Sequence, residues 1–479
     1  MKKILYVDYI KFIFVPIGVL ITYIIYRSPF FSFSAPEGYW LFATITIGTL
    51  GSIIMILKLL LDNKFIDMIL FLFIGVSIGF YGPLALGRTI PYLNDRPINS
   101  EIYELDLLQY DLSGDLLPEI SNVSDYYQIS IESVGGNKYI VFASANVRTN
   151  DFATVDNSLT HPESILSLVE IKDSTISLID QVSLSQEFGI HHGKDLFLNQ
   201  DKLYISTVHV DADGCQSLQL IEFKVNSELL LTLSDNKLVF ESSPKLCGRN
   251  NPLQSGGRIT LIDENTLLLS VGDFRLGPSS NSEEVNYDGR PSEMTYPNTY
   301  GMIIAIDLTD FGHEPYSIGH RNPQGLFFDE VTGNIWSSEH GPSGGGELNL
   351  IIQNNDYGWP DKTLGIPYGP NFVDGDWNTD RWSNHEGFTN PILSWIPSIA
   401  PSQLVVYRGE EFNKWSGDIL LATLRDNSLR RIRLYEDRVL YDERIYIGER
   451  VRDLLILEDG SILMSFDSGK IGLLRNNSY

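Results

Sequence analysis

The clearest pattern near the start of the chain is three long apolar runs separated by short polar segments. They cover residues 12–26, 40–57 and 65–86, and the last run is interrupted only by Asp67 near its start. A helix that crosses a bilayer needs about 20 predominantly apolar residues, so each run is close to a spanning length. No small-residue cleavage site marks the first run as a signal peptide. The pattern therefore predicts a membrane anchor of three transmembrane α-helices over residues 1–90.

The basic residues beside these runs predict the orientation of the anchor. Lys2, Lys3 and Lys11 precede the first run, and Lys58 and Lys64 lie between the second and the third. Because cytoplasmic loops are enriched in Lys and Arg, the N-terminus and the 58–64 turn are expected inside the cell. Three spans then place the rest of the chain on the extracytoplasmic (periplasmic) side of the cytoplasmic membrane.

After the anchor, the pattern changes to short alternating or β-branched runs. Residues 91–125 contain Pro91, Pro97 and mixed polarity, which indicates a linker and the start of an outer domain. From residue 126 onward the runs are of strand type, and none has the period of a helix of comparable length. The predicted strands in the first part of this region are 127–131, 139–143, 166–171, 175–179, 203–207, 218–223 and 237–240. Residues 126–479 are therefore predicted to be all-β.

One hairpin pattern recurs irregularly along the all-β region. It consists of a strand, a tight acidic turn, a second strand and a serine, at residues 195–206, 258–270, 325–337 and 453–465. Repetition of one supersecondary unit is typical of a β-propeller, whose radial arrangement leaves few exposed sheet edges. We therefore predict a six-bladed β-propeller. Two β-sandwiches are the alternative, and the repeated hairpin argues against them.

Charge and cysteine content narrow the possible functions. The formal net charge is −26, and residues 1–96 carry eight basic residues against five acidic ones, so the outer region is more acidic than the whole chain. Such a domain does not bind nucleic acid or anionic lipid, whereas it attracts divalent cations. Cys215 and Cys247 are too few for a disulfide scaffold. They form either one bridge in an oxidising compartment or two buried thiols.

The stretch with the most chemically active groups is residues 319–360. Two short apolar runs, 326–328 and 334–337, flank a Gly-containing turn and predict a hairpin. The second strand leads into the loop 339–346, where Pro342 and four glycines let the backbone bend sharply and approach a ligand. Polar groups on a loop between rigid strands predict a site, the alternative being an ordinary long loop.

This stretch resembles the glucose/sorbosone dehydrogenase family, the soluble quinoprotein sugar dehydrogenases that use pyrroloquinoline quinone (PQQ). The similarity rests on the run GHRNPQGL, on EHGP followed by a glycine run and ELNLI, and on the closing DYGWP. It extends to the C-terminus through residues 255–273, 399–402, 415–433 and 450–453. The resemblance implies a six-bladed propeller with the quinone over the central channel, beside a calcium ion.

The resemblance also implies roles for individual residues. A guanidinium binds a carboxylate bidentately, which suits a quinone with three carboxylates, and carbonyl oxygens suit the hard calcium ion. The implied quinone-binding residues are Arg321, Asn322, Ser398, Arg425, Arg450 and Arg452. The implied metal ligands are the carbonyls of Gly341 and Pro342, with Glu347 and Tyr357 at a second, structural calcium site.

The catalytic base is where the sequence departs from the family. The family has a histidine just before the glycine run, and this position falls at Gln254. Oxidation of a sugar hydroxyl needs an acceptor for the hydroxyl proton as hydride leaves, and a glutamine amide cannot accept it. The residues that remain as candidates for this role are His191, His192, His340, His320 and Asp273.

Two functional hypotheses follow from this pattern. The first is a membrane-anchored, PQQ-dependent dehydrogenase that oxidises a sugar or related alcohol outside the cytoplasm. Residues 1–96 contain no histidine, so the anchor cannot ligate haem through two histidines, and electrons would leave to an external acceptor. The second is a non-catalytic propeller that keeps the ligand and calcium pocket, which the missing histidine supports. A scaffold subunit of a membrane complex is a weaker third.

Overall fold

The computed structural model describes the protein from Ile98 to Asn477, with gaps. The described residues are 98–112, 116–117, 126–146, 163–172, 175–226, 232–247, 254–277, 292–342, 344–365, 385–436 and 438–477. The predicted membrane anchor, residues 1–90, lies outside them. Within these ranges, no helix combines the length and the apolar character needed to cross a bilayer.

Strands make up nearly all of the regular structure in the described ranges. In chain order they are β1 (Ile98–Asn99), β2 (Glu104–Asp111), β3 (Tyr126–Gly135), β4 (Lys138–Asn146), β5 (Ser164–Lys172), β6 (Thr175–Ser183), β7 (His192–Asn199), β8 (Lys202–Val210), β9 (Gln216–Asn226), β10 (Thr232–Glu241), β11 (Gly256–Leu261), β12 (Thr266–Val271), β13 (Met302–Asp307), β14 (His313–Ile318), β15 (Pro323–Asp329), β16 (Asn334–Glu339), β17 (Gly346–Ile351), β18 (Leu393–Trp395), β19 (Pro401–Val406), β20 (Ile419–Thr423), β21 (Ser428–Tyr435), β22 (Arg438–Tyr446), β23 (Val451–Ile456), β24 (Ile462–Phe466) and β25 (Lys470–Asn476). The helices are one short α-helix, α1 (Leu184–Phe188), and two 3₁₀ turns, Ser292–Met294 and Asn413–Trp415. The prediction of an all-β domain is confirmed.

The strands form six antiparallel sheets, which are the blades of a propeller. Blades 1 to 5 each take four consecutive strands, β3–β6, β7–β10, β11–β14, β15–β18 and β19–β22. Blade 6 has the order β1-β2-β25-β24-β23, so strands from the two ends of the described chain share one sheet. This pairing closes the ring, because the last blade is completed by a strand that precedes the first blade. The predicted six-bladed propeller is confirmed, and the β-sandwich alternative is excluded.

Apolar side chains hold the blades together in pairs. Six buried clusters each draw residues from two neighbouring blades, and together they cover all six blade–blade contacts around the ring. The repeated hairpins of the sequence are the two innermost strands of blades 2, 3, 4 and 6. Their short apolar runs separated by polar turns follow from this packing, because each sheet buries both faces against its neighbours while its turns remain in water.

The innermost strands share an irregularity that positions the site. Strands β7, β11, β15, β19 and β23 each have a shift of pairing register close to their first residue. Such bulges bend the strand locally and redirect its side chains. They occur where the five strands begin, so polar residues at this end of the blades turn toward the propeller axis.

A disulfide and an unforeseen strand pair complete the fold. Cys215 and Cys247 are bonded, so the first of the two alternatives for these cysteines is confirmed. Strands β1 and β2 lie within residues 91–125, where the sequence pattern indicates a linker and the start of the outer domain. The strand pattern therefore begins at Ile98 in the structure rather than near residue 126.

Candidate active site at the start of the inner strands

One buried charge cluster closes the channel along the propeller axis. Arg258 Nη1 lies 2.9 Å from Asp195 Oδ1 and 3.0 Å from Asp453 Oδ1. Ser130 Oγ lies 2.6 Å from Asp195 Oδ1 and 2.8 Å from Asp453 Oδ2. Burial raises the pKa of Asp195 to about 6, and the charge of Arg258 opposes that rise. These groups satisfy one another, so they form a floor rather than a ligand site.

Arg321 is a buried cation without a carboxylate partner in the part of the chain that the structure describes. It is 7% exposed, and its Nε has no hydrogen-bond partner. Nη1 donates to the carbonyls of His340 and Gly341 at 2.9 and 2.8 Å, and the guanidinium carbon lies 5.3 Å from the centre of the Trp359 ring. Neutral partners do not offset the cost of burying a charge. This guanidinium is therefore suited to an anionic ligand.

Arg450 and Arg452 reach the same region from the start of blade 6. Their guanidinium nitrogens lie 2.7 and 2.8 Å from the two carboxylate oxygens of Asp467. Burial lowers the pKa of His340 to about 3, and the charges of Arg321, Arg452 and Arg450 add to the effect. Arg321, Arg450 and Arg452 thus converge on His340, and we call them the arginine cluster. Among the described residues, Asp467 is the carboxylate in ion pairs with the cluster and Asp273 lies within the electrostatic range of Arg321, so the three guanidinium groups outnumber the carboxylates.

The other residues implied in quinone binding occupy different environments. Asn322 is buried next to Arg321, and its Oδ1 accepts a hydrogen bond from Gly256 N at 3.2 Å. The Oγ of Ser398 accepts from a backbone N–H two residues further along at 3.1 Å. Arg425 is exposed to solvent. Of these three residues, Asn322 is therefore the one that the structure joins to the arginine cluster.

Hydrogen bonds hold the side chain of Gln254 between the carboxylate of Asp273 and the guanidinium of Arg321. The backbone of Gln254 is left-handed, with φ of 61°. With the amide oriented to satisfy both ends, Nε2 donates to Asp273 Oδ1 at 2.9 Å and Oε1 accepts from Arg321 Nη2 at 3.0 Å. Asp273 also accepts from Trp359 Nε1 and from the backbone N–H of Arg275, at 2.8 and 2.9 Å. Burial raises the pKa of Asp273, and Arg321 opposes that rise. A carboxylate so enclosed orients Gln254 and is not open to a substrate proton.

The candidate histidines differ in what surrounds them. His320 is fully buried, with Nδ1 3.2 Å from Glu339 Oε1, which fits a structural role. His340 has a buried Nε2 without a hydrogen-bond partner, among the arginine cluster. His192 opens strand β7 and is 9% exposed, and the carbonyl of His191 accepts hydrogen bonds from two serine hydroxyls of blade 1. Among these histidines, only the ring of His340 is placed by the described contacts beside the arginine cluster.

Lys194 is a second buried cation without a carboxylate partner among the described residues. It lies at the bulge of β7 and is 9% exposed. Its stem packs against Gly257, where a Cβ would approach Lys194 Cβ to 2.5 Å, so only glycine leaves room for this side chain. Burial lowers the pKa of the amine to about 8, and the charge of Arg452 adds to this effect. A sizeable neutral fraction near physiological pH equips an amine to accept a proton.

Three of the four residues implied as metal ligands line one small cavity. Gly341, Glu347 and Tyr357 line a space of about 10 Å³, close to the minimum that holds one water molecule. The Gly341 carbonyl accepts the guanidinium bond described above, and Glu347 Oε1 lies 3.2 Å from His385 Nε2. Calcium prefers oxygen ligands and not imidazole. The Glu347 environment therefore fits a histidine–carboxylate pair better than a calcium ion, whereas the carbonyls of Gly341 and Pro342 are of the right type.

Comparison with known proteins identifies the family. The family model described as Glucose / Sorbosone dehydrogenase matches residues 164–475, which is more than half of the chain. The chain belongs to the glucose/sorbosone dehydrogenase family. This membership confirms the family to which the sequence motifs point.

Three known proteins are similar to this chain in sequence. An uncharacterised protein of Synechocystis is 33% identical over 263 residues, which are 51% of this chain and 60% of the relative. The aldose sugar dehydrogenase YliI of Escherichia coli is 26% identical over 58% of this chain and 74% of its own length. The quinoprotein glucose dehydrogenase B of Acinetobacter calcoaceticus is 27% identical over 31% of this chain and 41% of its own length. The chain thus spans between 41% and 74% of these relatives.

Solved structures agree with the propeller fold. A crystal structure of a glucose dehydrogenase superposes with a TM-score of 0.56 at 21% identity, covering 78% of this chain and 99% of that one. The apo-form of the soluble aldose sugar dehydrogenase from Escherichia coli gives 0.54 at 20% identity, over 78% of this chain and 98% of its own. At this identity the comparison supports the fold alone.

Lys194 is the site residue that the sequence analysis missed. In the sequence it follows two histidines and a glycine, and the histidines attract attention because they imitate the family's motif. A lysine is normally a surface residue, so nothing local marks it as buried. One signal was present: Lys194 directly precedes Asp195, the first residue of a repeated hairpin, so it occupies the start of an inner strand.

Proposed function

We propose that the protein is a PQQ-dependent dehydrogenase that oxidises the hydroxyl of an aldose or a related alcohol. The observation that carries the proposal is the arginine cluster, in which Asp467 pairs with Arg450 and Arg452 while Arg321 has no ion-pair partner among the described residues. A cofactor with three carboxylates would supply the missing negative charge in the form that guanidinium groups bind best. The names of the two characterised relatives, an aldose sugar dehydrogenase and a quinoprotein glucose dehydrogenase, support this choice.

The cluster residues would hold the cofactor through their guanidinium groups. Arg321 would exchange its two carbonyl contacts for a carboxylate, and Asn322 beside it offers an amide to a neutral oxygen. Bound in this place, the quinone would provide the acceptor for the hydride. The surrounding burial excludes water and strengthens each charged contact.

The proton of the substrate hydroxyl would pass to Lys194 Nζ. Gln254 fills the position of the family histidine but is fixed between Asp273 and Arg321, and the enclosed Asp273 cannot replace it. Lys194 lies at the start of an inner strand within the electrostatic range of Arg452, and its pKa of about 8 leaves part of the amine neutral near physiological pH. Burial and the positive charge of Arg452 thus keep part of the amine unprotonated, as a general base requires.

We include calcium in the proposal at only one of the two implied calcium sites, the one at the carbonyls of Gly341 and Pro342. The carbonyls of Gly341 and Pro342 are suitable ligands, and Arg321 would release the Gly341 carbonyl when a cofactor carboxylate takes its guanidinium. Cofactor and metal would then bind together. The pairing of Glu347 with His385 leaves the second, structural site outside the proposal.

The cellular setting of the proposal rests on the sequence. The three apolar runs of residues 1–90 support a multi-pass anchor in the cytoplasmic membrane, with the propeller on its outer side. The bond between Cys215 and Cys247 is compatible with an oxidising compartment. Electrons would leave to an external acceptor, since residues 1–96 contain no histidine for haem ligation.

A binding protein without catalysis is the second candidate. The observation that favours it is Gln254 in the position of the family's base, held by hydrogen bonds to Asp273 and Arg321. In that case the arginine cluster would bind an anionic ligand without turnover.

Turnover by the full-length protein separates the two candidates. The protein, purified in detergent and loaded with calcium and PQQ, is assayed for sugar-dependent reduction of an artificial electron-accepting dye over a panel of aldoses and polyols. The proposal predicts dye reduction with at least one sugar. Quinone binding without turnover on any sugar would favour the binding protein, and absence of quinone binding would refute the dehydrogenase and the assignment of the arginine cluster to PQQ.

A further inference from the structure

A second pocket lies at the other end of the propeller from the candidate site. It has a volume of about 590 Å³, within the range of small-molecule sites, and it is formed by blades 6 and 1. Its walls include the turn between β3 and β4, the turn between β23 and β24, and the end of β25. These turns follow the inner strands, whereas Lys194 and Arg452 lie where inner strands begin. The two sites are therefore on opposite faces of the propeller.

Two mostly buried tyrosines line this pocket. Tyr110 and Tyr139 are 6% and 5% exposed. Neither hydroxyl has a hydrogen-bond partner among the residues that the structure describes, and neither oxygen is sealed off from the pocket, so both hydroxyls are open to a ligand. Burial raises the pKa of both phenols, so both remain protonated donors at neutral pH. We call this space the tyrosine pocket.

The charges around the tyrosine pocket are balanced. Its rim carries Lys172 and Arg475 on the positive side and Glu458 and Asp459 on the negative side, all of them exposed. Arg475 Nη2 lies 4.0 Å from Asp459 Oδ2. A rim with two charges of each sign gives neither an anion nor a cation a net advantage. The matching ligand is a neutral molecule.

The mixture of donors and acceptors narrows the ligand class further. The phenols and Arg475 donate, the carboxylates of Glu458 and Asp459 accept, and the amide of Asn137 does both. A ligand that only accepts, such as a quinone, would place its oxygens against two carboxylates. A polyhydroxylated ligand both donates and accepts, and its C–H face suits the apolar floor, which is formed by Leu108, Ile171, Leu463 and Leu473.

We infer that the tyrosine pocket is a binding site for a neutral saccharide, separate from the site of oxidation. The two phenols donate to sugar oxygens, and the rim carboxylates accept from sugar hydroxyls. The inference does not depend on the proposed dehydrogenase activity, because it uses a different face and different residues. Its role would be to hold a saccharide on the propeller without oxidising it.

Calorimetric titration with maltose tests the inference on the full-length protein. The protein is held in a detergent without a sugar headgroup, since such a headgroup would compete for the site. We expect the double variant Tyr110→Phe/Tyr139→Phe, which keeps both rings, to weaken maltose binding by about tenfold or more, since each lost hydrogen bond contributes up to about tenfold. Tyr446→Phe, at an exposed tyrosine, is the matched control and should bind as the wild type does.

Maltose bound elsewhere contributes equally to the wild type and the double variant, so the difference in their binding reports on the tyrosine pocket. No difference between them, or no maltose binding by either, would overturn the inference. A short-chain ubiquinone that binds instead, with loss in the double variant, would overturn the ligand class. Dye reduction is measured on the same samples and should be equal in both proteins, so failure of the dehydrogenase proposal would be seen independently.

Discussion

Gln254 keeps the hydrogen bond to Asp273 that a histidine base in this position would make, but its amide is not basic. A histidine in this position could accept a proton while Asp273 oriented its ring. The glutamine preserves the link to Asp273 and adds a contact to Arg321, so the loop retains its shape. The proton acceptor must then come from another strand, and Lys194 is the group whose burial and neighbouring charge adjust its basicity for this purpose.

The pH dependence of turnover tests the role of Lys194. Only the neutral amine accepts a proton, and its fraction grows as pH rises through its pKa of about 8. We therefore expect kcat/KM to rise with pH through this value and to level off above it. Lys194→Met should abolish this limb and lower kcat by about 10²- to 10⁴-fold, the usual contribution of a general base.

Two further variants separate a chemical role from a structural one. Lys224→Met, at an exposed lysine, should leave both rate and pH profile unchanged. Adding Gln254→His to Lys194→Met restores a base beside Asp273, and it should recover activity with a pH limb nearer to that of histidine. An unaltered pH limb in Lys194→Met would contradict the assignment.

At the scale of elements, the closing strand β2 is the part of the fold that joins the two ends of the propeller. It pairs along its length with β25, from Leu105 opposite Asn476 to Asp111 opposite Lys470. Leu105 is 4% exposed and belongs to the apolar cluster between blades 5 and 6. The stability of the ring should therefore depend on this strand although it stands apart from the other strands of its blade in sequence.

Truncation of Leu105 measures how far the ring depends on closure. Leu105→Ala should lower the free energy of unfolding by about 2–5 kcal/mol, the range for a buried leucine. Asp106→Ala, at the exposed neighbour, should change it by no more than about 0.5 kcal/mol. Denaturant unfolding followed by tryptophan fluorescence gives both values. Equal stability of the two variants would show that β2 contributes little to closure.

The strands of the repeated hairpins can be predicted from the sequence. Hairpins such as 195–206 and 453–465 could be recognised because each carries its own alternation and turn. Strand β2 could not, because its partner β25 lies at the far end of the chain and a single strand carries no signal of its pairing. The same reason applies to the site. Arg321 lies in a recognisable sequence motif, whereas the burial and the lowered pKa of Lys194 depend on Arg452 and Gly257, which belong to other blades.

At the scale of the whole molecule, an acidic protein presents a cationic site at one end of its channel. The formal net charge of −26 keeps polyanions away from most of the surface, while neutral sugars are not repelled. The arginine cluster is shielded by burial, so a compact anion with several carboxylates can bind there. The opposite face offers the balanced charges of the tyrosine pocket, which gives the two ends of the propeller different ligand preferences.

A reporter fusion tests the proposed topology of the molecule. An enzyme that is active only outside the cytoplasm, fused after Tyr479, should be active if three spans precede the propeller. The same reporter fused within the 58–64 turn should be inactive, since that turn is expected inside the cell. Activity of the second fusion and inactivity of the first would overturn the three-span orientation.

The affinity of the full-length protein for PQQ tests whether the arginine cluster binds an anionic quinone cofactor. Arg321→Gln removes a buried guanidinium, and a contact of this kind is worth about 2–5 kcal/mol, or roughly 30- to several-thousand-fold in affinity. Arg438→Gln, at an exposed arginine, is the matched control and should bind as the wild type does. We expect the wild type and Arg438→Gln to bind PQQ tightly and Arg321→Gln to lose PQQ binding. Equal affinity of all three proteins, or no binding by the wild type, would contradict this expectation.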